Sequence, residues 1–200
     1  MFRASIVTML LLAAPAALAQ SAQGDWPCVQ RRIATISAGS VWSGPDLAAA
    51  SADWGQDFEA ASLARQLASR RTPLEEVDGL VDGFAQKAGA AKSERLLRVF
   101  AGVLELTNTE RSRILAGISR YAKGQEALAE RVRDESDKLS LAKDSPAAEE
   151  TPQTKEIEDR LKWDTRIFQE RRQSLTYVCE TPVLLEKRVF EIARRIQPKL

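Results

Sequence analysis

Two runs of residues spaced by fours and threes limit what this chain can fold into. The first reads Ile114, Ile118, Tyr121, Gln125, Leu128, Val132, Glu135 and Leu139. The second reads Ile157, Leu161, Asp164, Phe168, Arg171, Leu175 and Val178, with Trp163 and Ile167 widening the apolar face. That spacing keeps side chains on one narrow stripe of an α-helix, the seam of a coiled coil. A strand would alternate by two. Between the runs, Asp144 to Pro152 is a polar turn carrying Pro146, Glu149 and Glu150. Two long amphipathic helices joined by a short turn make an antiparallel hairpin, here expected over residues 108–180. Its flanks are charged, as in Glu130-Arg131, Arg133-Asp134-Glu135 and Asp137-Lys138. Outside the seam the tip, residues 132–162, is polar and is expected to project.

The residues before the hairpin read as further helices. A short one is expected over 46–53. Another is expected from Gln56 to Ser69 with Phe58, Ala60, Leu63, Ala64 and Leu67 inward. Thr72-Pro73-Leu74-Glu75 has the form of a capping box with proline in the first turn. Val77, Leu80, Val81, Phe84 and Ala88 follow at helical spacing, and Gly89 stops the run. Ser93 to Leu106 is apolar on most of its faces, which marks a helix buried at the centre of a bundle. Thr107-Asn108-Thr109-Glu110 is a second capping box and predicts a new helix start. Thr181-Pro182 predicts another, with Leu185, Val189, Ile192 and Ile196 as its buried stripe and Pro198 as its stop.

The first residues have a different logic. Arg3, an apolar run from Ile6 to Leu12, and Ala17-Leu18-Ala19 follow in the order of a secretory signal peptide, residues 1–19. No twin-arginine pair precedes the apolar run. The expected location is the periplasm. Cleavage would remove 19 of 200 residues and leave 181, enough for one helical domain over 46–200 behind an extended arm over 20–45. No later stretch approaches a membrane span, so no membrane insertion is expected after cleavage. The leader carries one arginine and no acid, so the mature chain has equal numbers of basic and acidic residues. That balance argues against nucleic acid as a partner, because phosphate binding needs a basic excess.

Cys28 and Cys179 are the two cysteines, at opposite ends of the mature chain. In an oxidising compartment an isolated pair reads as a disulfide, and loop closure of this length is worth up to roughly 5 kcal/mol. The alternative, a redox or metal role, has no C-x-x-C spacing behind it. The chain has no histidine. That removes Ser-His-Asp and Cys-His triads and the commonest metal ligand. No cofactor is expected.

Other motifs are weak. The Arg-Arg doublets at 31–32, 70–71, 171–172 and 194–195 are interleaved with acids or sit alone at helix ends, so they read as solvated surface. Glu75-Glu76 and Glu158-Asp159 read as solubilising charge rather than an acid/base pair. Trp26, Trp42 and Trp54 crowd into the arm and the residues after it. They either pin the arm to the core through large apolar area or form an aromatic ligand platform.

The arm, Trp26-Pro27-Cys28-Val29-Gln30-Arg31-Arg32 followed by Val41-Trp42-Ser43-Gly44-Pro45, resembles the start of a group of uncharacterised secreted bacterial proteins. The resemblance spans about 20 residues, implies export and carries no function. The sequence therefore predicts an all-α chain: a helical bundle, a long projecting antiparallel coiled-coil hairpin and an extended N-terminal arm. The expected function is that of an exported, non-catalytic adaptor that presents its hairpin to another periplasmic or envelope protein. The alternative is a small-ligand binder or carboxylate-dependent enzyme with a pocket beside the tryptophans.

Overall fold

The computed structural model describes residues 26–144 and 151–200. The expected signal peptide over 1–19, the first residues of the arm and most of the polar turn lie outside the described residues. Among those described there is no strand. Six α-helices follow in order: α1 Ala38–Val41, α2 Ala48–Asp53, α3 Phe58–Ala68, α4 Val77–Ala88, α5 Lys92–Lys143 and α6 Pro152–Ile196. Short 3-10 turns lead into or follow several of them.

α5 has 52 residues and α6 has 45. At 1.5 Å per residue they measure about 78 and 68 Å. They run antiparallel. Ile118 and Cys179, Tyr121 and Arg171, and Arg131 and Asp164 mark successive contacts between them. The first quarter of α5 and the last third of α6 pass through the body. There α1–α4 wrap them around a core that includes Leu67, Val81, Leu96, Val99, Phe100, Val103, Val189, Ile192 and Ile196, all fully buried. The rest of both helices stands beyond this core as the hairpin.

Two expected helix starts are absent. α5 runs through Thr107-Asn108-Thr109-Glu110 without a break. A capping box needs its first residue out of helical conformation, with its side chain free to turn back on the helix. Here Thr107 is buried and the Asn108 amide is bound elsewhere, to the arm. α6 likewise runs through Thr181-Pro182. Pro182 cannot donate to the Val178 carbonyl, a loss worth about 3 kcal/mol in an isolated helix. Burial of Pro182 and the disulfide three residues earlier hold the chain on both sides of it. Thr181 Oγ1 donates to the Tyr177 carbonyl at 3.4 Å within the same turn.

The seam shifts at this point. Val178, expected inward, is partly exposed, and Arg171 is exposed as well. Cys179 and Pro182 take the inward places instead. The step of four from Leu175 to Cys179 is followed by steps of three to Pro182 and Leu185, so the departure is local and the body stripe keeps the heptad phase of the hairpin.

The smaller helices also show departures. Phe58 is 78% exposed because Asp57, not Gln56, precedes the helix and caps it, accepting from the Ala60 N–H at 3.1 Å. Thr72 does not cap α4. Its hydroxyl donates to the Gln66 carbonyl at 2.8 Å and closes the end of α3, while a 3-10 turn over Leu74–Glu76 leads into α4. Gly89 ends α4 with φ of +57°, a conformation that glycine adopts without Cβ strain. Gly102 matters for packing. A Cβ there would lie 2.6 Å from the Trp54 ring and 2.8 Å from Ala64 Cβ, so only glycine lets α3 and Trp54 approach α5.

Candidate functional site

The arm lies along α5 in the opposite direction, and each of its holds can be traced to a residue. Asn108 makes two bonds to Ile36: its Oδ1 accepts from the Ile36 N–H at 2.9 Å and its Nδ2 donates to the Ile36 carbonyl at 3.0 Å. A side-chain amide thus does for one arm residue what a neighbouring strand would do. One turn on, Arg111 donates to the Ile33 carbonyl. Arg111 is 3% exposed, and burial pulls its pKa below the ordinary arginine value. Beyond it Cys28 and Cys179 are bonded, with Cα atoms 5.6 Å apart. They pack with Ile118, Ile114, Leu175 and Trp26 in a small apolar cluster separate from the main core.

The three tryptophans occupy three settings. Trp42 is buried and stacks on Phe100, ring centroids 4.2 Å apart, and its indole N–H donates to the Pro45 carbonyl at 2.8 Å. Trp54 lies over Gly102 and donates to Glu105 at 2.8 Å. Trp26 sits with the disulfide, donates to the Gln30 carbonyl at 2.7 Å and has the Arg32 guanidinium 5.7 Å above its ring. Phe100 and Ile118 are 18 residues apart on α5, about 27 Å, so Trp42 and Trp26 do not share a platform. The partners of Trp42 and Trp26 are core, loop carbonyl and disulfide.

Three clefts of the surface are lined without tryptophan. One of about 370 Å³ lies between α3 and α4, bordered by Phe58, Gln66, Gly79, Gly83 and Lys87. Another of about 330 Å³ runs along α5 past Glu105 and Asn108. A third of about 250 Å³ lies beside the disulfide, between Val29 and Arg172. Among the described residues no group of three or more His, Cys, Asp or Glu side chains could hold a metal ion.

The strongest charge cluster joins α3 to α5. Arg95 bonds Asp57 through two nitrogens at 2.7 and 2.8 Å and reaches Glu59 at 2.6 Å. Its hydrogen bonds hold the Asp57 carboxyl at a pKa of about 2, below the ordinary 3.8. Arg98 adds a bond to Asp53 at 3.2 Å. Both arginines are committed to acids at helix ends, so the cluster ties helices together. Arg188 does the same for a loop, donating to the Leu67 carbonyl at 3.0 Å and the Thr72 carbonyl at 2.8 Å.

The hairpin interior is unlike the body. Gln125, Glu135 and Asp164 are buried between the helices. Gln125 Nε2 donates to the Phe168 carbonyl at 3.3 Å, Tyr121 donates to the Arg171 carbonyl at 2.9 Å, and Arg131 donates to Asp164. Glu135 Oε2 is buried with no hydrogen-bond donor. Outside the seam, Trp163 is 62% and Leu141 74% exposed.

No family model, curated protein or solved structure matches this chain. Its fold and its surfaces are therefore the basis on which function can be argued. No described helix is long and apolar enough to cross a membrane. A disulfide between distant cysteines suits an oxidising compartment. Sequence reasoning singled out the cysteines and the tryptophans. It passed over Asn108, read as part of a helix cap, and Arg111 and Arg188, whose one signal is a cation set at an inward position of an apolar stripe.

Proposed function

We propose that this chain is an exported, non-catalytic adaptor that presents its helical hairpin to another protein of the periplasm or envelope. The observation that carries the reading is the hairpin itself. Past Ile118, α5 and α6 pack on each other and not on the body core, and they do so through a seam that mixes Leu128 with Gln125, Glu135 and Asp164. A fold seeking stability alone gains little from such a seam, since buried charge roughly cancels against its own desolvation. A rigid two-helix arm with Trp163 and Leu141 on its outer surface suits recognition by a groove or by further helices. The leader over residues 1–19 and the disulfide support the placement outside the cytoplasm.

The test is photo-crosslinking in cells. A benzophenone amino acid is placed at Lys162 or Leu141 on the hairpin, and in parallel at Lys87 on the body. The expected result is one discrete adduct from the hairpin sites and none from the body site. An adduct from Lys87 alone would move the interaction to the cleft between α3 and α4. Absence of adducts at all sites would overturn the adaptor reading.

A further inference from the structure

The disulfide is not sealed inside the main core. Cys28 and Cys179 are each 7% exposed and belong to the small cluster with Ile118, apart from the core of the body. Both line the cleft of about 250 Å³ that has Val29 of the arm on one side and Arg172 and Thr176 of α6 on the other. Val29 is fully exposed, so the arm covers the bond thinly. Disulfides are opened by attack of a thiolate, an anion, on one of the two sulfurs. Arg172 sets a cation on the wall of the cleft, where an approaching thiolate and a departing one both gain from it.

The arm is held here in a way that makes this bond decisive. Among the described residues, the one hydrogen bond of segment 26–32 runs from the Trp26 indole to the Gln30 carbonyl, inside the segment itself. The Arg32 guanidinium stacks on the same indole, again inside the segment. Pro27 and residues 29–32 are exposed. From Ile33 onward other holds take over, Arg111 on the Ile33 carbonyl and Asn108 on the backbone of Ile36. Without the disulfide, segment 26–32 keeps the packing of Trp26 in the small cluster. The conformational freedom of the released backbone outweighs what one half-buried indole returns.

We propose that Cys28–Cys179 is a redox latch, opened in the folded chain by a protein dithiol of the C-x-x-C class that attacks through this cleft. The chain has no C-x-x-C of its own, so it is the substrate of the exchange and not its catalyst. A thiolate of the dithiol bonds to one cysteine sulfur as the S–S bond breaks, and the other cysteine leaves as a thiolate and takes a proton. The second thiol of the dithiol loses its proton, attacks the mixed disulfide and releases the first cysteine, which is protonated in turn. Two electrons and two protons pass to Cys28 and Cys179, and the dithiol ends as a disulfide. Opening frees residues 26–32 and uncovers Ile114, Ile118 and Leu175 at the root of the hairpin, while the separate core keeps the body folded. This inference stands apart from the adaptor reading, because its test reads thiols and the arm and not partner binding.

The test uses the mature, oxidised chain with dithiothreitol as the dithiol, quenched with iodoacetamide and read by mass. The rate of reduction should be linear in dithiothreitol and flat from 0 to about 1 M urea. A route through global unfolding would instead rise about tenfold over that range. Arg172→Glu should slow reduction about fivefold, by replacing an attracting charge with a repelling one. Thr176→Trp should slow it about tenfold, by filling the cleft that the attacking thiol must enter. Circular dichroism confirms that each variant is folded. The reduced wild-type chain should keep its helical signal, show faster hydrogen exchange over 26–32 but not at Ile36, and bind an apolar dye that the oxidised chain does not. A rate that climbs with urea overturns the proposal. So do variants reduced at the wild-type rate, a reduced chain that unfolds, or one whose residues 26–32 exchange as before.

Discussion

Where α5 and α6 pass through the body, the residues between them are Leu96, Val99, Phe100, Val103, Val189, Ile192 and Ile196, each fully buried and apolar. Farther out, the same two helices meet through Gln125, Arg131, Glu135 and Asp164. The backbone geometry is shared. The body relies on removal of apolar area from water and on close packing, at roughly 25 cal/mol per Å². The hairpin relies on register: its buried polar groups fit one alignment of the helices and penalise others. The difference separates two tasks, a body that holds the fold and an arm that keeps a defined shape while adding little to stability.

Removal of Phe100 is expected to have the largest effect. Phe100→Ala deletes the ring under Trp42 and should cost about 3–5 kcal/mol, read as a shift in the urea midpoint. Leu128→Ala, the matching truncation in the hairpin, should cost less than half as much, because its surroundings can close on the gap. Equal costs would break the contrast between the regions.

Loss of the disulfide should come next. Cys28→Ser with Cys179→Ser is expected to cost about 2–5 kcal/mol. The arm from Ile33 onward remains held by Arg111 and Asn108, so hydrogen exchange should rise before Ile33 and not at Ile36. Exchange rising along the whole arm would mean that the disulfide, not Asn108, is the main hold.

Acid should act on the body through Asp57. Its carboxyl has a pKa of about 2 in the folded chain against 3.8 for the ordinary group. A lowered pKa means stability that is complete above about pH 4 and is lost as pH falls toward 2, up to roughly 2 kcal/mol in all. Asp57→Asn should remove that contribution at neutral pH and flatten the slope of stability below pH 4. A wild-type curve and a variant curve that remain parallel there would show that other carboxylates carry the acid sensitivity.

The smallest effect has the opposite sign. Glu135→Leu replaces a buried carboxylate of which one oxygen, Oε2, lacks a donor and should raise thermal stability by about 1 kcal/mol. A loss instead would show that Glu135 is satisfied in solution and belongs to the structure of the hairpin.

Much of this architecture is legible in the sequence, for physical reasons that also explain the rest. The stripes from Ile114 to Leu139 and from Leu185 to Ile196 locate the two long helices because burial at helical spacing is a repeated signal. Helix ends are a local signal, and tertiary contacts override it. Thr107-Asn108-Thr109-Glu110 has every residue of a cap, yet the arm takes the Asn108 amide and the helix continues. Pro182 looks like a start, yet burial and the neighbouring disulfide carry the helix past it. The arm is the least legible element. Its position depends on Asn108 and Arg111, about 72 to 78 residues away in the chain, and no periodicity reports such contacts. Its tryptophans are legible as large apolar groups but not as members of three separate environments.

The link between Cys28 and Cys179 has a consequence for how the protein is made. A ribosome releases the chain from its amino end, so the Cys28 thiol appears 151 residues before the one it must meet. The last apolar residues of the body, Val189, Ile192, Ala193 and Ile196, emerge later still. Neither covalent closure nor this core is available to a chain that has not yet reached α6 residues Cys179 to Ile196. Closure of the disulfide and completion of this core therefore both wait on the same helix, α6. With two cysteines in the sequence, one intramolecular pairing exists, so a chain acting alone cannot choose a wrong partner. A mispaired disulfide of this sequence would have to join different molecules.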